Sequence, residues 1–151
     1  MIGKLTEQQI EEILKDNIWG HLGCNDGFNT FVYPINYLYD GKYVTIHSQT
    51  GSKIKVMRQN KRVCFQVDEV ENHRNWKSVM VFGEYHELED EQERQDAMKA
   101  FFNRRLFLKI TEPDILPGSN EQEADEQFEK DSRPTIFRIV IDEKSGRYED
   151  D

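Results

Sequence analysis

Between Ile18 and Leu88, turn dipeptides cut the chain into short stretches of alternating character, a pattern that admits little besides an antiparallel sheet. Residues 18–24 form the first stretch, closed by Asn25-Asp26-Gly27, a hairpin turn signal. Residues 30–39 are rich in aromatics and contain Pro34, which cannot donate to a ladder, so this strand is expected at an edge or bulged. Asp40-Gly41 then turns the chain into residues 42–48, where Tyr43, Thr45 and His47 alternate with Val44, Ile46 and Ser48. Residues 62–68 put Val63, Phe65 and Val67 on one face, and residues 76–88 are long enough to bend, with Gly83 marking a bulge. A last strand over 135–141 is β-branched and apolar on both faces, which predicts a central position. Six strands at short spacing with helices between them predict a mainly β fold, a small barrel with helical additions.

The helical signals are local. Thr6-Glu7-Gln8-Gln9 is a capping box, with Leu5 and Ile10 as its hydrophobic staple and Ile10, Ile13 and Leu14 as one apolar face, so a helix is expected over 6–16. A short helix over 51–60 uses Ile54 and Met57 as anchors. Another over 90–105 is capped by Asp90 and Glu93. Residues 111–133 are polar and broken by Pro113 and Pro117-Gly118, with acids concentrated after residue 119; any helix there is read as a solvated surface turn. No internal repeat or linker appears, so residues 1–151 read as one domain, its barrel built from 18–88 and 134–142.

Charge narrows the function. Acids number 29 against 20 Lys and Arg, and the net charge of −9 argues against nucleic acid and against an anionic membrane surface. No apolar run approaches the roughly 20 residues of a membrane span. Residues 1–6 carry no signal-type apolar segment, so the expectation is a cytoplasmic protein. Cys24 and Cys64 make no disulfide framework and are expected as free, buried thiols.

Against that acidic background, the 27 residues from Gly41 to Val67 contain no Asp or Glu but six Lys/Arg: Lys42, Lys53, Lys55, Arg58, Lys61 and Arg62. Fixed cations raise the local concentration of an anion and pair with it. At the centre, His47-Ser48-Gln49-Thr50-Gly51-Ser52-Lys53 runs from a strand through a Gly-bearing turn into a helix. Free N–H groups at a helix start favour an anion, Lys53 adds a point charge, and the hydroxyls of Ser48, Thr50 and Ser52 can donate. A phosphate monoester suits this arrangement, although the spacing is not that of a P-loop. Tyr33-Pro34-Ile35-Asn36-Tyr37 can meet a flat ring, and Trp76-Lys77-Ser78 begins a strand with an indole, a cation and a hydroxyl. No metal-ligand spacing joins His21, His47, His73 and His86, and no serine sits in a nucleophile elbow. His47 is the candidate catalytic residue because it adjoins the anion segment.

Taken in order, Pro34-Ile35-Asn36-Tyr37, Asp40-Gly41, Ile46-His47-Ser48 with Gly51 and Lys53, Asn60-x-Arg62-Val63-Cys64-Phe65, and Trp76-x-Ser78-Val79 with Gly83 resemble the FMN-binding split-barrel proteins. The likeness is nearest to the pyridoxamine 5′-phosphate oxidase-related branch that holds the nitroimidazole-resistance proteins. It implies a six-stranded Greek-key split barrel that forms a homodimer, with FMN at the subunit interface. By position it assigns Ser48, Ser52 and Lys53 to the phosphate, and it counts Gly51 and Val79 among the cofactor-binding residues. Trp76, Lys77 and Ser78 fall at the phosphate and ribityl end, and Asn36, Tyr37, Ile46 and His47 at the isoalloxazine ring. Two departures weigh against vitamin B6 oxidation: Gly51-Ser52-Lys53 stands where the true oxidases carry Ser-Arg-Lys, and the chain closes with Arg147-Tyr148-Glu149-Asp150-Asp151 rather than an arginine-rich segment. The implied function is an FMN-dependent oxidoreductase acting on a small planar or nitroaromatic molecule. The alternatives are a non-catalytic flavin- or haem-binding barrel and an acidic interaction module.

Overall fold

The computed structural model describes residues 1–111 and 134–151, with side chains as far as Arg104 in the first stretch. The acid-rich segment expected over 111–133 lies outside the described residues, apart from Thr111, which ends a helix. The chain runs β1 (Ile2–Lys4), α1 (Glu7–Asp16), β2 (Trp19–Asn25), β3 (Thr30–Asn36), β4 (Leu38–Tyr39), β5 (Tyr43–Ser48), α2 (Ser52–Gln59), β6 (Arg62–Asn72), β7 (Asn75–Glu87), α3 (Glu91–Thr111) and β8 (Thr135–Glu149).

All strand pairs are antiparallel, in the order β3-β2-β6-β7-β8-β5-β4, with β1 added beside β8. The two halves of the aromatic run 30–39 therefore lie at opposite ends of one path. A sheet whose ends are joined by a single residue, Tyr37, must curl on itself, which makes this a split barrel. Each expected strand is present. The 30–39 strand is divided at Tyr37, β1 is additional, and β8 continues to Glu149, well beyond the anticipated end near residue 142. Pro34 sits on edge strand β3 opposite His21, in an uninterrupted register. The one shift between β7 and β8 falls at Phe82/Gly83, where Asp142 is the extra residue on β8. As its composition predicted, β8 is central, between β7 and β5.

Alternation sorts the sheet into two faces. Leu22, Phe65, Val79, Val81, Ile46 and Phe137 point into the core with essentially no exposure. Two helices close the open side. α1 keeps its capping box (Gln9 N–H to Thr6 Oγ1, 3.2 Å; Thr6 N–H to Gln9 Oε1, 2.9 Å) and buries Ile10, Ile13 and Leu14. Side chains satisfy three of the orphan carbonyls at its end: Asn17 Nδ2 donates to Ile13 (2.8 Å), Tyr37 Oη to Leu14 (2.7 Å) and an Arg104 nitrogen to Lys15 (3.4 Å). α2 buries Ile54 and Met57 completely. α3 starts with the expected cap, Glu93 N–H to Asp90 Oδ2 at 3.0 Å. Cys24 is buried, but Cys64 lies half-buried on the outer face, because residues one apart from the core-facing Val63 and Phe65 must point the other way. None of the described helices is long and apolar enough to cross a membrane.

Candidate functional site

Strand β5 delivers the chain to the start of α2. Val44, Ile46 and Ser48 face inward, and Tyr43, Thr45 and His47 face outward, as the alternation predicted. Ser48 is buried and its hydroxyl donates to the Gln49 carbonyl at 3.2 Å. Thr50 and Thr135 share a hydroxyl hydrogen bond of 2.7 Å, tying the turn to the first residue of β8. Gly51 is the N-cap of α2 in an extended conformation, and no side chain among the described residues caps the helix. Ser52 is exposed at its first position. Among the described residues the N–H groups of this first turn thus keep no side-chain acceptor of their own, which is the state an incoming anion requires.

Lys53 completes the arrangement. The residue is half-buried, with its ammonium 5.5 Å from the centre of the Tyr33 ring. Among the described residues it joins no ion pair. Burial lowers its pKa, opposed weakly by Cys24. Burial likewise raises the Cys24 and Cys64 thiols, which makes both poor nucleophiles. The sequence reading singled out the lysine but missed its partner. The outward Val32-Pro34-Asn36 and inward Phe31-Tyr33-Ile35 alternation of β3 is the signal that places Tyr33 on the lysine's side.

The remaining candidates divide by face. Tyr37, Ile46 and Val79 put their side chains in the core. Tyr37 is further fixed by its bond to Leu14, by an edge-on contact of 4.8 Å with Phe65, and by its N–H bond to the Ile18 carbonyl at 3.1 Å. Only backbone atoms of these three are left for a ligand. His47 is exposed, with Phe101 of α3 edge-on to its ring at 4.6 Å. Asn36 lies at the end of β3, opposite Trp19 on the outer face of the sheet. Trp76, Lys77 and Ser78 alternate, so they cannot all serve one pocket from one side. The Trp76 indole donates to Glu149 at 2.9 Å and Ser78 accepts from Gln66 at 3.0 Å, while Trp76 and Lys77 both border an open cleft of about 550 Å³ near the start of α1.

One chain does not bring the Lys53 and Trp76 groups together. Tyr33 is level with Phe65 across β2, and Trp76 with Val70, so at roughly 3.4 Å per residue they are about 17 Å apart along β6. A second cleft, of about 460 Å³ between α1, β4 and α3, includes Lys15, Tyr37 and Arg104; its donors are largely those that cap the end of α1. Among the described residues no group of His, Cys, Asp and Glu is placed to hold a metal ion.

A curled antiparallel sheet of this order defines a split-barrel protein, and among the described residues its α2 start carries no side-chain cap and the half-buried lysine beside it no ion pair. The model of the pyridoxamine 5′-phosphate oxidase family matches residues 6–148, and the chain belongs to that family. An uncharacterised protein of Rhizobium meliloti (strain 1021) is 31% identical over 146 residues, covering 95% of this chain and 92% of that one. A FAD-binding protein from Mesorhizobium loti superposes with a TM-score of 0.74 at 28% identity, over 100% of this chain and 98% of the other. A structure described as a 5-nitroimidazole antibiotic resistance protein from Bacteroides thetaiotaomicron gives a TM-score of 0.69 at 19% identity, over 98% and 87% of the two chains, and so speaks for the fold alone.

Proposed function

We propose that this chain is a flavin-binding split-barrel protein, that its flavin is FMN, and that it works as an FMN-dependent oxidoreductase on a small planar or nitroaromatic substrate. The observation that carries the reading is the Lys53 ammonium, half-buried and outside any ion pair among the described residues, next to the uncapped start of α2 in a window without acids. A terminal phosphate fits there: Ser52 and the first N–H groups of α2 donate, Gly51 leaves the approach open, and Lys53 neutralises charge. Family membership and the FAD-binding relative support the coarser part of the reading, a flavin. The bound flavin would supply electron or hydride transfer; the chain holds, orients and shields it. His47, exposed beside Phe101, is the side chain offered to substrate.

A homodimer belongs to the same reading. Val32, Gly23, Cys64 and Phe82 form one outward row across four strands. Trp19, Val32 and Phe82 remain 46%, 62% and 39% exposed, an apolar strip that a second copy would cover. Asn36 and Ser78 lie on that face too, which fits a flavin taking its phosphate contacts from one protomer and others from its partner. The test is enzymatic. Flavin-loaded protein should oxidise NADPH faster when a nitroimidazole is added, and His47→Ala should depress that rate while leaving the flavin spectrum intact. Loaded protein with no turnover toward any nitroaromatic acceptor would remove the oxidoreductase claim and leave a binding protein.

A further inference from the structure

Tyr33 is the unassigned residue with the clearest task. Its ring belongs to the core-facing side of β3, stacked on Phe31 at 6.3 Å and 12°, with Tyr33 directly opposite Leu22, so it is a fixed surface. The Lys53 ammonium lies 5.5 Å from the centre of that ring, within the range of a cation–π contact. A lysine side chain ordinarily loses considerable rotamer freedom when a ligand fixes it, and holding it beforehand removes that cost. A carboxylate could hold it equally well, but would neutralise it and compete with an incoming phosphate. An aromatic face attracts the cation without cancelling its charge, and the ammonium's three N–H groups are not consumed by it.

We propose that Tyr33 is a positioning residue, its ring pre-setting the Lys53 ammonium as an un-neutralised counter-ion for the terminal phosphate of the flavin. The inference rests on the flavin reading above and adds to it the element that distinguishes a phosphorylated flavin from an unphosphorylated one.

The experiment titrates wild type, Tyr33→Leu, Tyr33→Phe and Lys53→Ala with FMN and with riboflavin, following flavin fluorescence. Tyr33→Leu should weaken FMN about three- to tenfold, leave riboflavin unchanged, and reduce the salt dependence; Tyr33→Phe should stay within about twofold of wild type. Independently of any ligand, the Lys53 ε-methylene resonances should be shifted upfield by the ring in wild type and Tyr33→Phe. They should return to ordinary values in Tyr33→Leu. Equal loss of FMN and riboflavin in Tyr33→Leu would mark a merely structural role and overturn the proposal. So would unchanged FMN binding, failure of phenylalanine to restore it, or an unshifted Lys53 methylene in wild type. If Lys53→Ala abolishes FMN binding while Tyr33→Leu leaves it at the wild-type level, the positioning role alone falls. If wild type does not favour FMN over riboflavin, the phosphate site falls with it.

Discussion

At the scale of single residues, the tightest constraint is Gly83. A Cβ there would stand 2.2 Å from the Val140 carbonyl oxygen, a backbone atom with nowhere to go. Gly83→Ala should therefore lower stability by about 1–3 kcal/mol, read as a reduced urea midpoint; an unchanged midpoint would mean the β7–β8 bulge is softer than it appears. The glycine and its bulge were visible in the sequence, but the extra residue was not: Asp142 lies on the partner strand, and only the register reveals it. Ionisable pairs give a second expectation. Arg58 lowers the Glu87 pKa from the ordinary 4.5, helped by the Tyr85 hydroxyl; burial alone would raise Glu11, but Lys144 and Tyr39 reverse this. Both carboxylates are more acidic folded than unfolded, so their contribution is complete above the ordinary value, begins to fade below it, and is lost as pH falls on through the lowered folded value. Stability should decline below about pH 4.5, and the decline should be shallower in Glu87→Gln.

At the scale of elements, sequence legibility followed how local the cause was. The α1 capping box was written in four consecutive residues and formed as expected. Thr6→Ala should cost about 1 kcal/mol, a fall in melting temperature of roughly 2–4 °C, and adding Gln9→Ala should cost less than the two changes separately, since they share one motif. The splitting of 30–39 into β3 and β4 was not legible, because nothing in that run says that its halves pair with strands at opposite ends of the sheet. The same non-locality hid the length of β8: residues 142–149 are polar and charged, and they are strand because β7 and β1 lie beside them. The candidate site shows both behaviours. The strand–turn–helix around Ser48–Lys53 was readable from contiguous residues, whereas the inward burial of Tyr37, Ile46 and Val79 depended on which face the barrel closes over.

For the whole molecule, the outward row Val32-Gly23-Cys64-Phe82 and the distance between the Lys53 and Trp76 corners lead to one expectation: the functional unit is a pair of chains. Phe82→Arg should yield a monomer by sedimentation and weaken flavin binding without unfolding the barrel; a monomeric wild type that binds flavin fully would contradict a shared site. The central claim, that the acid-free window exists to hold a phosphate, is tested most directly by phosphorus NMR of FMN mixed with the protein. The account expects a bound resonance shifted from free FMN and held as the dianion through about pH 6, where the free phosphate titrates, and it expects that resonance to vanish in Lys53→Ala. A phosphate signal that titrates as in free FMN, or one indifferent to Lys53, would contradict it.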